Sequence, residues 1–572
     1  MNRLLFLYIL FIAVSQANSV ISLAQDNQSQ SGQRTQTEHE THDNPYLPPV
    51  VPQRTSQAIR LKSAGFSMVQ VNVNSTGQNI LGDAANEPSM TIDPADPSKI
   101  VIGWRQFDNV NSNFRQAGYA YSSDYGQTWT FPGVIEPGVF RSDPVLDADI
   151  TGAVYYNSLT DRAGAPFPTN QVFKSSNGGV AWDSGVEARG GDKQWMTIDR
   201  TIGVGSGNLY SYWYKNFSSC FPGQFTRSKD EGVSYQDCVE IPNSPRFGTL
   251  TVGNEGELYV IGSHQSGYGF IMEKSSNAKF PDSIVSFELS TMVGLDGYMT
   301  MNTPVNPEGG DGQAYIDVDR SSGPGRGNVY VLATVARYSN NDPADIMFAK
   351  STDGGVSWST PHRINTDSSV TNYQWFGTLS VAPNGRIDVV WLDTRNAPAG
   401  SDSSALYYSY SNDQGETWSA NEKLSESFNP HAGYPQQNKM GDYFDMKSDN
   451  EGASLAWTNT FNGEEDVYFS RIIPSVTGIN NGVTTTKTLS LVASPNPFCD
   501  ETAIKYSLSS PCRVKLVIYN LYGTVIQTLV ENSQPAGNYS VSLADNALSS
   551  GFYICRLDAG LQSGFVRLVK VK

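Results

Sequence analysis

The stretch SSDYGQTW at residues 122–129 decides the fold, because it recurs. It returns with drift as SSNGGVAW (175–182), SKDEGVSY (228–235), STDGGVSW (351–358) and SNDQGETW (411–418), and a degenerate sixth copy stands at Ser275, Asn277 and Phe280. The shared pattern is Ser-x-Asp-x-Gly-x-x-Trp. Its physics is that of a strand-connecting turn: a short acidic or amide side chain accepts backbone N–H bonds, Gly takes the φ > 0 position, and the aromatic ring buries itself alongside.

A second repeat, a strand pair around a Gly or Asp turn, precedes each of these and occurs seven times. The copies start at EPSMTID (87), DPVLDAD (143), QWMTID (194), FGTLTVG (247), QAYIDVD (313), FGTLSVA (376) and YFDMKSD (443). Each unit adds a third strand running into the stapled turn, as in GYAYSSD, DIMFAKSTD and ALYYSYSND, and a fourth after the aromatic. Four strands repeating every 58 residues or so (~58) are a β-propeller blade. The expected fold class is therefore all-β: a seven-bladed propeller (six-bladed if one hairpin is an insertion) followed by a small C-terminal β-sandwich. The last unit stops at VYFSRIIP (467–474) after its third strand. The alternating segment FSMVQVNVN (66–74) belongs to no unit and is expected to supply the missing outer strand, since an open edge invites aggregation.

Composition agrees. The chain has 572 residues, 39 Lys and Arg against 56 Asp and Glu, and a net charge of -17. That acidity repels phosphate backbones, so nucleic acid is excluded as a partner. Five His and five Cys leave little material for histidine-based metal or triad chemistry, and no cofactor or metal is implied. Asp147, Asp149, Asp317 and Asp319 are weak calcium candidates, because the same positions are hairpin turns in other units. At the N-terminus, Arg3, the apolar run Leu4 to Val14, and small residues at Ser15, Ala17 and Ser19 read as a signal peptide over 1–19. Residues 20–64, rich in Gln, Ser, Thr and Pro, read as a disordered linker. No later apolar run approaches the ~18 residues of a spanning helix, so the mature chain carries no transmembrane segment. Export permits disulfides, and Cys220 and Cys238 flank the third stapled turn as a candidate pair.

The repeated turns resemble the Asp boxes, or BNR repeats, of the sialidase superfamily over residues 65–474. The resemblance implies a propeller whose boxes lie on the rim away from the substrate pocket. It gives Asp124, Trp129, Asn177, Trp182, Asp230, Asp353, Trp358, Asp413 and Trp418 a structural role. The chain departs from that family in lacking its Phe-Arg-Ile-Pro motif near the first strand, where NEPSM (86–90) stands instead; SRIIP (470–474) occurs only in the last unit.

After a linker at 475–488, the segment 489–572 carries seven Lys or Arg against five Asp or Glu, opposite in sign to the rest of the chain. Its alternating strands read as a small antiparallel sandwich. It resembles the C-terminal sorting domain of type IX secretion cargo through Pro495, Asn496, Pro497 and Phe498, the strand Thr502-x-Ile504-x-Tyr506, Tyr519 with Gly523, the turn Leu548-Ser549-Ser550-Gly551-x-Tyr553, and Lys570-Val571-Lys572. The resemblance implies type IX machinery as a partner and a secreted or cell-surface protein. An accessory carbohydrate-binding or fibronectin-like sandwich is the alternative.

Ligands of propellers bind where inner strands and their loops meet at one mouth. The starts of the hairpins bring there Glu87, Asp143, Lys193, Trp195, Arg246, Gln313, Trp375, Asp442 and Tyr443, and the ends of the second strands bring Arg105, Asp393, Arg395 and Asn396. Acids, arginines and aromatics together make a sugar-binding mouth. In sialidase-like chemistry Arg105, Arg246 and Arg395 clamp a carboxylate, Tyr443 is the nucleophile with Glu87 as its base, and Asp143 is the acid. Lys193, Trp195, Trp375, Asp393 and Asp442 complete the binding set. Three readings stand: a non-catalytic surface propeller whose partner is an extracellular glycan or protein, a sialidase-like glycoside hydrolase, and a purely structural surface protein.

Overall fold

The computed structural model describes residues 44–161, 168–474, 491–508, 511–520, 525–544, 548–559 and 562–571. The expected signal peptide, the first linker up to residue 43 and the linker at 475–488 lie outside the described residues. The chain divides into two compact units at Ser475. Among the described residues the only helical element is the 3-10 turn Lys215–Phe217.

Among its described residues the first unit has two two-stranded ribbons and seven antiparallel sheets of three to five strands. Their innermost strands are Ala84–Ile92, Arg141–Ala148, Trp195–Ile198, Leu250–Val252, Tyr315–Val318, Gln374–Val381 and Asp445–Ser448. Each packs against the next, and the last packs against the first, which makes a closed ring. The closing sheet has the order Arg60–Ser63, Phe66–Gln70, Asp466–Ile472, Ala453–Asn459, Asp445–Ser448. Phe66 pairs with Ile472 and Gln70 with Tyr468, so the segment before the first hairpin covers the open edge of the last. Phe66 and Met68 are buried there by period-two alternation. The expected linker ends earlier than residue 64: Arg54–Ser56 pairs with Asn79–Leu81, and Arg60–Ser63 forms the outermost strand. Their side chains are almost all exposed, so these strands stand on backbone bonds and show no apolar alternation.

Between neighbouring inner strands the backbone supplies one parallel bridge, Gly248 with Ala314, and side chains join most of the other seams. Ser89 Oγ accepts from the Leu146 N–H (3.0 Å), Asp147 Oδ2 from Ile198 (2.9 Å) and Thr249 Oγ1 from Ile316 (3.0 Å). Asp317 Oδ2 accepts from Val381 (3.0 Å), Ser380 Oγ from Ser448 (2.9 Å), and Asp445 Oδ2 from Met90 (2.9 Å), the last joining the seventh sheet to the first; the third and fourth sheets are joined farther out, where the Tyr212 hydroxyl donates to the Ile261 carbonyl (2.7 Å). Each bond contributes about 1 kcal/mol, and more where the acceptor is a carboxylate. Asp147 and Asp317 are thereby sheet staples, while Asp149 and Asp319 cap their own hairpin turns through Thr151 and Ser321 N–H groups (2.8 Å each).

The Ser-x-Asp turns are built as their chemistry requires. In the first, Asp124 accepts from Ser122 Oγ (2.8 Å), the Thr128 N–H (2.9 Å) and Thr128 Oγ1 (2.6 Å), and Gly126 takes φ +78. Asn177, Asp230, Asp353 and Asp413 repeat the bonds to the preceding Ser and the following backbone. The turns also join sheets: a methyl group on Gly126 would overlap the Phe469 ring, and one on Gly415 the Phe348 ring, both in the preceding sheet.

The second unit is a sandwich. One sheet has the order Leu491–Ser494, Glu501–Leu508, Gly537–Ala544 and the other Val525–Gln534, Cys512–Tyr519, Gly551–Ala559, Gln562–Lys570. Ile504, Leu516, Ile518, Leu557 and Leu568 are its fully buried core.

Candidate functional site

The inner strands begin at one mouth of the ring, and there the backbone is strained. Glu87, Asp143, Lys193, Phe247 and Phe376 occupy the same position in five sheets and all have φ between +48 and +59. In the first, second and sixth sheets the strand register slips at this point, as it does at a β-bulge. Non-glycine residues at positive φ cost about 1 kcal/mol or more each, and such strain collects at functional positions.

The bulges gather a buried charge cluster. Arg105 Nε lies 3.2 Å from Glu87 Oε2 and donates to Asn86 Oδ1 (2.9 Å), with both charged side chains fully buried. Lys439 Nζ bridges Glu87 (3.5 Å) and Asp442 (3.0 Å). Lys193 pairs with Asp442 and stands 3.9 Å from Asp143. The Asp143 carboxylate accepts from Ser142 Oγ (2.8 Å) and the Lys193 N–H (3.1 Å). Glu465 closes the back, accepting from Asn86 Nδ2 at 2.8 Å. Burial pushes the Glu87 carboxyl up to about 8; Arg105 and Lys439 oppose this, and Asp442 and Asp143 add to it.

Beneath the cluster three aromatic rings plug the axis. Trp195 packs edge-on against Tyr443 (5.2 Å) and Tyr315 (6.0 Å), joining the third, fifth and seventh sheets. The Tyr443 hydroxyl donates to the Pro144 carbonyl (2.8 Å), and that of Tyr315 donates to the Phe444 carbonyl. Tyr443 is 2% exposed. Burial holds its phenol well above the ordinary range, and Glu87 and Asp143 reinforce this.

Of the residues named from sequence, the structure brings together Glu87, Arg105, Asp143, Lys193, Asp442, Tyr443 and Trp195. The three arginines have different partners, Arg105 pairing with Glu87. Arg246 lies over the rings of Tyr214 (5.4 Å) and Phe247 (5.3 Å), and Arg395 lies over Tyr407 (4.4 Å) while pairing with Asp393 (2.7 Å). Trp375 is fully buried in the core, its Nε1 donating to Ser404 Oγ (3.0 Å), so its ring offers no face to a ligand. Sequence reading missed Lys439, Asn86, Glu465 and Tyr315. The only available signal for the lysine was its place in QQNKMGD, just before the seventh hairpin. Cys220 and Cys238 form a disulfide. Among the described residues no group of His, Cys, Asp and Glu is arranged to hold a metal ion.

In the second unit, Asn496 acts as a strand residue without being in one. Its Nδ2 donates to the Arg567 carbonyl (2.6 Å) and its Oδ1 accepts from the Val569 N–H (2.9 Å). Phe498 continues the pairing, donating its N–H to the Val569 carbonyl (3.0 Å) and accepting from Val571 (2.9 Å). The SPNPF motif is thus tied to the final strand. Residues 493–571 match the family of secretion system C-terminal sorting domains.

This unit is a type IX sorting domain. The sorting domain sends the protein to the outer cell surface or the medium and engages the type IX machinery on the way. No helix among the described residues is long and apolar enough to cross a membrane. No curated protein matches the chain. Among solved structures, a protein of unknown function from Dyadobacter fermentans is similar with a TM-score of 0.41 at 13% identity, covering 74% of this chain and 100% of its own. The Trypanosoma rangeli sialidase gives 0.35 at 11% identity, covering 89% of each chain. The phage phi92 endosialidase gives 0.40 at 10%, covering 88% of this chain and 87% of its own.

Proposed function

We propose that this exported propeller is a surface module that binds extracellular glycans or proteins without hydrolysing them. The observation that carries this reading is the position of Tyr443. A nucleophile needs a face open to the substrate and a base to take its proton. The Tyr443 hydroxyl is instead spent on the Pro144 carbonyl inside an aromatic plug. Glu87, the base it would need, is committed to Arg105 and Lys439. The separate environments of Arg105, Arg246 and Arg395 support the same reading, since a carboxylate clamp requires convergence.

A glycoside hydrolase is the second reading, favoured by Glu87 and Asp143 lying at one mouth with the Glu87 carboxyl raised to about 8, which is where an acid catalyst is useful. The test is a panel of fluorogenic glycosides, including a sialoside, run with the purified protein and with Tyr443→Phe and Asp143→Asn. The proposal expects no turnover, together with saturable binding to an extracellular polymer. Turnover lost in both variants would overturn it and establish the hydrolase.

A further inference from the structure

Below the aromatic plug, at the opposite mouth where the inner strands end, the axis opens into a cavity of about 1250 Å³. This exceeds the few hundred to about 1000 Å³ of ordinary ligand pockets, so it has room for several linked rings. We propose that this cavity, and not the charge cluster, is the ligand site, and that it takes the end of a neutral, hydroxyl-rich glycan chain. The proposal rests on the binding reading above.

Three observations point to that chemistry. First, Thr197, Thr251 and Ser380 occupy one equivalent position on three of the inner strands and set short hydroxyl side chains along the wall. Second, the charges alternate in sign as fixed pairs: Arg200 with Asp147, Arg320 with Asp317 (2.7 Å), Lys447 with Asp445 (2.9 Å) and Arg471 with Asp449 (2.7 Å). A donor beside an acceptor suits a sugar hydroxyl, which both gives and accepts. Third, the lining holds four Lys or Arg against seven Asp or Glu, and all four cations are already paired. That balance repels sulfated or uronate chains. Trp195 and Tyr315 form an apolar inner end.

The experiment uses the full chain and two perturbations. Ile202 stands fully exposed at the cavity rim, so Ile202→Cys leaves the core untouched and a bulky polyethylene glycol maleimide there blocks the opening. Wild type treated with the same reagent is the control, because Cys499 is exposed and reacts in both. Lys447→Ala removes one donor while Asp445 keeps its bonds from Ser89 and Met90. Titration calorimetry is run against mannohexaose, cellohexaose and xylohexaose, with a heparin hexasaccharide and an oligolysine peptide as charged members. The expected result is saturable binding of a neutral member, weakened at least tenfold in both altered proteins. Neutral binding that neither alteration changes would overturn the cavity assignment and leave the binding reading standing. Preference for heparin or oligolysine would overturn the ligand class. Absence of binding to every member by the wild type would overturn this inference and leave only the protein arm of the binding reading.

Discussion

A carboxyl sealed away from water holds its proton at pH values where a surface glutamate has lost it, and Glu87, Asp311 and Asp466 are such groups. Burial raises Glu87 to about 8, Asp311 to about 7 and Asp466 to about 7. Asp442 and Asp143 push Glu87 upward against Arg105 and Lys439. Asp442 does the same to Asp311 against Thr303 and Thr300, and Glu464 to Asp466 against Asn462, Asn72 and Gln70. Each group binds its proton more tightly folded than unfolded, so the folded state carries more protons between the ordinary carboxyl range and about 8. Stability therefore falls as pH rises through that window. Urea midpoints measured from pH 5 to pH 8.5 are expected to decline; a rising or flat profile would count against these assignments. Replacing Tyr443 by Phe removes the bond to Pro144 and should cost about 1 kcal/mol of stability by urea titration, with ligand binding unchanged. At this scale the sequence showed which residues approach the mouth but not which way they face. Trp375 and Trp195 both start inner strands, yet one ring enters the core and the other the axis. The bulge that separates them has no fixed residue signature.

The repeated turn is the element that sequence displayed best, because its function is local: Ser, Asp and Gly lie within five residues and make their bonds to one another. What sequence could not display is the neighbour each glycine leans on. Gly126→Ala should cost about 2 kcal/mol more than Gly138→Ala, since both sit at positive φ but only the first would meet a ring, that of Phe469. Differential scanning of the two variants checks this, and equal losses would mean that the turn merely closes its own hairpin. Asp445→Ala should cost about 2 to 3 kcal/mol, because it strips the acceptor from Ser89 Oγ and the Met90 N–H at the seam between last and first sheets. Chemical denaturation of this variant, with Asp445→Asn as the milder comparison, measures it. The closing strand Phe66–Gln70 was legible from its alternation. The strand outside it, Arg60–Ser63, was hidden because a fully exposed edge imposes no pattern on its side chains.

Across the whole molecule, charge and pattern in the sequence separate the sorting domain from the propeller. The ring's axial contents stayed hidden because Trp195, Tyr315 and Tyr443 come from sheets more than a hundred residues apart in the chain. Deleting residues 491–572 should leave the propeller folded but inside the cell envelope, as fractionation and protease protection would show; normal export of the truncated protein would argue for a second address. The closing sheet carries one more consequence. The polypeptide leaves the propeller toward the sorting domain from Asp466–Ile472, the middle strand of five, gripped by Ala453–Asn459 on one side and Phe66–Gln70 on the other. A pull on Ile472 along the axis of its strand loads both hydrogen-bond ladders along their length at once. The strand that completes the ring thus also braces the point at which the chain leaves it.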